Sequence, residues 1–82
     1  MAHKVDLKTG IVLQRLRKRA GISQEALAAR VGVSAQQIHK YEKGENRVSA
    51  GRLFDIAEVL GTTPGVIVEL IQVELKIDKD VI

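Results

Sequence analysis

QEALAARVGVSAQQIHKYEK, residues 24–43, reads as two short helices joined by a tight turn at Gly32. In the first, about Gln24 to Val31, Leu27 and Val31 stand four residues apart on one face with Ala28 beside them. The second opens at Ser34, whose hydroxyl can accept from a free N–H of the first turn. Gln37 follows three residues on, so Ser34-x-x-Gln37 fits a reciprocal capping box. Ile38 and Tyr41 share one side of this second helix. Gly32 can take the left-handed backbone that ends a helix sharply, and Ala28 is small where the two helices would cross.

This arrangement resembles the helix-turn-helix of the Cro and phage-repressor family, also called lambda-repressor-like. The apolar slots of that family's pattern are filled by Leu27, Val31, Val33, Ile38 and Tyr41, its small-residue slot by Ala28 and its turn glycine by Gly32. The resemblance covers about residues 8–71. It implies an all-α, compact five-helix fold with the helix-turn-helix at helices 2 and 3.

The rest of the chain is consistent with one small domain of 82 residues, with a core of about 8–71 and a tail at 72–82. An apolar fraction of 45% and a charged fraction of 28% are those of a globular protein rather than a disordered one. With no cysteine, disulfides and thiolate metal sites are excluded. No metal or other cofactor is expected. No long apolar run argues for a membrane span, and MAHKVDLKTG has no apolar signal core, so a cytoplasmic location is expected. The net charge of +3 hides an asymmetry: residues 1–52 carry eleven Lys/Arg against four Asp/Glu, residues 53–82 two against six. The basic part holds the helix pair, which suits a surface that meets phosphates with its acidic back turned away.

Outward from the central pair, residues 1–7 read as a loose arm with His3 solvated. Helix 1 is expected from about Leu7 or Lys8 to Ala20, its apolar stripe made by Ile11, Val12, Leu13, Leu16 and Ala20. Ser23 is the expected cap of helix 2. Ser49 can cap a fourth helix to about Leu60, with Leu53, Ile56, Ala57 and Leu60 as its core stripe and Phe54 adding to it. Thr62 or Thr63 then caps a fifth helix with Pro64 at its first position and Val66, Ile67, Leu70 and Ile71 facing inward. Val73–Asp78 alternates apolar and polar as a half-buried strand does, yet no breaker separates it from helix 5, so strand and helix extension both stay open.

At about 100° per residue, Gln36, Lys40 and Lys43 fall opposite buried Ile38, with Ala35 at the first turn and Gln37 and His39 flanking. Gln36 suits adenine, Lys40 suits guanine, and Ala35 can touch a thymine methyl. The unpaired N–H groups and dipole at the start of helix 2, with Gln24, can hold a phosphate. From the resemblance come four further expectations. Helix 3 lies in the major groove. Gln24 touches the DNA backbone and supports the first base-reading residue, a slot that holds Ala35 here. Lys43, Asn46 and Arg47 meet neighbouring phosphates. Arg17 pairs with Glu42 as a structural ion pair inside the domain.

The expected activity is sequence-specific binding of double-stranded DNA by a transcriptional regulator, a repressor acting at a palindromic operator. An antitoxin, a restriction–modification controller protein and a helical interaction domain are the alternatives. No nucleophile–base set or paired-carboxylate site argues for an enzyme. A homodimer is expected, because the apolar residues from Val66 to Ile82 outnumber what a short helix can bury. Helix 5 would meet its symmetry mate with the tail assisting, or the tail would pair as a strand. A toxin or polymerase partner is left open.

Overall fold

The computed structural model describes residues 3–80, with side chains through Ile77. Five helices follow one another: α1 Lys4–Arg19, α2 Gln24–Val31, α3 Ala35–Glu42, α4 Ala50–Val59 and α5 Pro64–Asp80. Each start has a chemical cause. Ser23, Ser34 and Ser49 sit in extended backbone and accept from Ala26 N, Gln37 N and Arg52 N, and Thr63 Oγ1 accepts from Val66 N at 3.2 Å ahead of Pro64. Gly32 ends α2 in the left-handed region at φ +88°, where a Cβ would be strained.

One core joins the layers. Val12 and Leu13 of α1, Leu27 and Ala28 of α2, Ile38 and Tyr41 of α3, Ile56 and Ala57 of α4, and Ile67 and Ile71 of α5 form a single buried cluster. α1 lies against both α5 and α3, while α2 bridges α3 and α4. The helix-turn-helix is therefore gripped from behind by α1 and from the side by α4.

Several expectations need correction. The arm is shorter than expected: α1 begins at Lys4, because His3 Nδ1 accepts from Val5 N at 3.0 Å and supplies the cap that the sequence hid. His3 is exposed, but it is a helix cap rather than a merely solvated side chain. Ile11 and Ala20 are exposed, since α1 turns Val12, Leu13 and Leu16 inward instead. Phe54 is 62% exposed and adds nothing to the core; the inward arc of α4 is taken by Leu53, Ile56, Ala57 and Leu60. Val66 is 42% exposed, leaving Ile67 and Ile71 to anchor α5. Residues 73–78 are helical: Val73 and Ile77 are exposed while Glu74 turns toward α1, where its Oε2 accepts from Arg15 Nη1 at 3.2 Å. Val81 and Ile82, counted in the apolar surplus, lie outside the described residues. No single described helix is long and apolar enough to cross a membrane.

Candidate nucleic-acid interface

α3 has two arcs. Ile38, Tyr41 and Glu42 are buried. Gln36, His39 and Lys43 are exposed, with Lys40, Ala35 and Gln37 half-buried between them. The Ile38–Tyr41 spacing fixes this orientation, because turning the helix would expose both large side chains. Gln36, His39, Lys40 and Lys43 thus form one polar and basic surface at the outer side of the helix pair.

Behind that surface lies a charged lock. Arg17 Nε donates to Glu42 Oε2 at 2.6 Å and Nη2 donates to Oε1 at 3.1 Å, a two-pronged contact with both side chains below a tenth exposed. Arg17 Nη1 also donates to the Ile22 carbonyl at 2.8 Å, which ties in the turn before α2. The hydrogen bond from the guanidinium to Glu42 raises the Arg17 pKa above its ordinary value, outweighing burial. A raised folded-state value stabilises the charged form below it, so this cation persists at every ordinary pH.

Gln24 belongs to the same lock. Its Nε2 donates to Glu42 Oε1 at 2.9 Å, the oxygen that already accepts from Arg17. One amide donor therefore points inward, and the expected outward-facing role at the start of α2 falls to the remaining amide atoms and the backbone N–H groups. Gln37 also differs from expectation. Ser34 Oγ accepts from Gln37 N at 3.0 Å, but Gln37 Oε1 accepts from Asn46 Nδ2 at 3.4 Å in place of the reciprocal half of the capping box. Asn46 is thereby turned back onto α3.

The turn after α3 is held by the Lys40 carbonyl, which accepts from Glu45 N at 3.0 Å and Asn46 N at 3.4 Å. Gly44, at φ +72°, lies against Leu7 of α1, so the loop enters at a fixed angle. Arg47 is 74% exposed, and its Nε donates to Asp6 Oδ2 at 3.2 Å. Asp6 and Arg52 are neighbours of the surface that sequence reasoning passed over. Arg52 Nη1 donates to the Val31 carbonyl at 3.2 Å, satisfying the C-terminal end of α2. Neither contact leaves a local signal, since its partners stand 41 and 21 residues apart. Among the described residues no group of three His, Asp or Glu is placed to hold a metal ion.

A family model described as helix-turn-helix matches residues 13–67, from the middle of α1 into α5. The chain belongs to the Cro/C1-type helix-turn-helix family. An uncharacterized transcriptional regulator in the ATPase CF(0) region of Rhodospirillum rubrum is 52% identical over 58 residues, which is 71% of this chain and 54% of that protein. The chain spans about half the length of the curated relatives it matches. Among solved structures, the restriction–modification controller protein C.AhdI of Aeromonas hydrophila is 31% identical with a TM-score of 0.72, over 74% of this chain and 92% of that one. The clp gene regulator ClgR of Corynebacterium glutamicum shares the fold at a TM-score of 0.89 and 20% identity, over 93% of this chain and 81% of that one.

Proposed function

We propose that this chain is the DNA-binding domain of a transcriptional regulator rather than an enzyme, and that it binds double-stranded DNA as a homodimer with α3 in the major groove. The observation that carries this reading is the outer arc of α3. Four polar or basic side chains, Gln36, His39, Lys40 and Lys43, project from a helix whose other arc is locked to the core. That arrangement presents base-reading groups at a fixed angle. Gln36 reads adenine by paired hydrogen bonds, Lys40 donates to guanine O6 and N7, and Ala35 offers a methyl to thymine. Lys43 and Arg47 meet phosphates beside the site. Gln24 with the start of α2 meets the phosphate on the other flank, and Asn46 is placed at the loop by its bond to Gln37.

One reading helix covers few base pairs. Two copies related by a two-fold axis bring two reading helices to successive major grooves about 34–36 Å apart, so the operator is a palindrome. Repression is the proposed sign, because occupancy of a site shared with polymerase needs no further contact. A restriction–modification controller is the second reading, favoured by the likeness to C.AhdI over 92% of that chain. The test is selection of bound duplexes from a random pool, then affinities for single-base variants. Gln36→Ala and Lys40→Ala should each cost about 1–3 kcal/mol on the selected site and relax preference at separate base pairs. An unchanged ranking of the variants in both mutants refutes the readout.

A further inference from the structure

We propose that the outward face of α1 docks an acidic amphipathic segment of a partner protein, with the partner's carboxylates beside Lys4, Lys8 and Arg15 and its apolar side chains on Leu7 and Ile11. At about 100° per residue, Lys4, Leu7, Lys8, Ile11, Arg15 and Lys18 fall within one arc of about 100°. The opposite arc is spent on the core and on the charged lock, through Val12, Leu13 and Arg17. Asp6, the one acidic residue of α1, lies on that inner side and pairs with Arg47. Four cations therefore share the outer arc with no carboxylate from their own helix. Glu74 of α5 reaches Arg15 at the edge of the arc and leaves that side chain 51% exposed. Leu7 and Ile11 are 42% and 38% exposed and stand one turn apart, about 6 Å along the axis.

Two features select the occupant. The first is position. α1 turns its inner arc to α3, where Gly10 lies against the Tyr41 and Glu42 carbonyls, so the outer arc is on the far side from the face proposed for DNA. The second is the pairing of charge with apolar surface. Solvation accounts for lysines and arginines, but not for two aliphatic side chains set in a row among them. A second nucleic acid would gain from the cations and nothing from Leu7 and Ile11. A lipid surface binds in proportion to the apolar area it buries, and two partly covered side chains offer little. A protein segment can use both. Lys4, Lys8 and Arg15 run along one flank of the arc and Leu7 and Ile11 along the other. The fitting partner carries its carboxylates in a line beside its apolar residues, as an acidic amphipathic helix does.

The probe is a capped peptide of Glu, Leu, Ala and Gln with leucines four residues apart and glutamates along one flank. Its control has the same composition in scrambled order. Titrated into the isotopically labelled full chain, the patterned peptide should shift amide signals across residues 4–18 and leave those of Gln36 and Lys40 unmoved. The scrambled peptide should bind about ten-fold more weakly. Lys4→Glu combined with Lys8→Glu should weaken the patterned peptide about ten-fold or more, and Ile11→Ala about five-fold. Leu7 is kept intact because it also packs on Gly44. Position 4 is in the first turn, where an acid suits the helix dipole, and thermal unfolding checks that each variant is folded. Equal binding of the scrambled peptide reduces the face to counter-ion attraction and overturns the proposal, as does the absence of any shift at millimolar peptide. Larger shifts of the same amides with a non-operator duplex, with phosphatidylserine vesicles or with rising concentration of the chain alone would assign the face to nucleic acid, lipid or a second copy, and each overturns it.

Discussion

Gly10 sits inside α1 and is buried. A Cβ built there would lie 2.5 Å from the Tyr41 carbonyl oxygen, 2.7 Å from the Glu42 carbonyl carbon and closer still to the Glu42 oxygen. Real Cβ atoms do not come within 3.0 Å of a heavy atom, so α1 and the last turn of α3 would have to part by at least half an ångström. Two effects of Gly10→Ala oppose each other. Alanine in a helix interior gains about 0.5–1 kcal/mol over glycine. Overpacking costs about 1–3 kcal/mol, and here the obstacle is backbone, which cannot rotate aside as a side chain can. The clash wins, for a net loss of about 1–2 kcal/mol.

Gly51 is the internal control. It is exposed in α4, and a Cβ there meets nothing within 4 Å, so only the helical gain remains. Urea and thermal unfolding followed by circular dichroism separate the two. For a domain of this size about 1 kcal/mol moves Tm by about 4–8 °C, so Gly10→Ala should fall by roughly 5–15 °C while Gly51→Ala holds or rises. On the proposed reading, Gly10→Ala should also lose DNA affinity beyond its unfolded fraction, since the carbonyls it pushes belong to α3. A Gly10→Ala protein as stable as the parent refutes the close approach of α1 to α3.

Removing either member of the Arg17–Glu42 pair should cost about 3–5 kcal/mol, because the other charge stays buried without its partner; Arg17→Met with Glu42→Leu should recover most of that loss. A double-mutant cycle by urea unfolding reads the coupling, and a value near zero would mean the lock holds nothing. The logarithm of DNA affinity should fall linearly with the logarithm of salt concentration, and Lys43→Ala and Arg47→Ala should each make that slope shallower by about 1. An unchanged slope removes that residue from the phosphate contacts. Asp6→Asn should raise affinity for all sequences several-fold by freeing Arg47, at a stability cost of about 1 kcal/mol or less, because Arg47 is exposed while Asp6 is largely covered and sits in the first turn of α1. A titration by fluorescence anisotropy that finds no gain refutes Asp6 as a competitor for the phosphate.

What could be read from the chain was what is local. Helix periods, serine caps and the Gly32 turn depend on neighbours within four residues, and each left a pattern that the folded chain follows. Capping by His3 leaves little trace in the sequence because histidine is an uncommon cap and the first turn has no long apolar run. The tail was ambiguous for a physical reason: Val73, Leu75 and Ile77 satisfy a period of two, while Val66, Leu70, Val73 and Ile77 satisfy the helical one. Helix wins because no breaker follows Pro64–Gly65 and because Arg15 waits on α1 for Glu74. Phe54 is exposed against its hydrophobicity because hydrophobicity marks only a candidate for burial, whereas the arc left free by Ile56 and Ala57 decides where the ring goes. Gly10 did carry a signal, since a glycine within a helix is costly unless something passes close to it.

Gln24 shows why the candidate site was less legible than the fold. Its position at the start of α2 suggests an outward role, and its polarity gives no reason to doubt it. The inward bond arises only because Glu42 arrives from α3 with an oxygen already fixed by Arg17 from α1. Three helices meet at that one carboxylate, so the angle between α2 and α3 is set by the same atoms that aim Gln24. Glu42→Gln keeps the size of the side chain but removes its charge and offers Arg17 a donor where it needs an acceptor. The damage should then spread in a definite direction: α1 loosens from α3, Gln24 loses its anchor, and phosphate contact at the start of α2 weakens although no residue facing DNA has changed. On the proposed readout, Glu42→Gln should lower stability and affinity for all duplexes together, while titrations on single-base variants should keep their ranking, since base preference is assigned to Gln36 and Lys40 on the other arc.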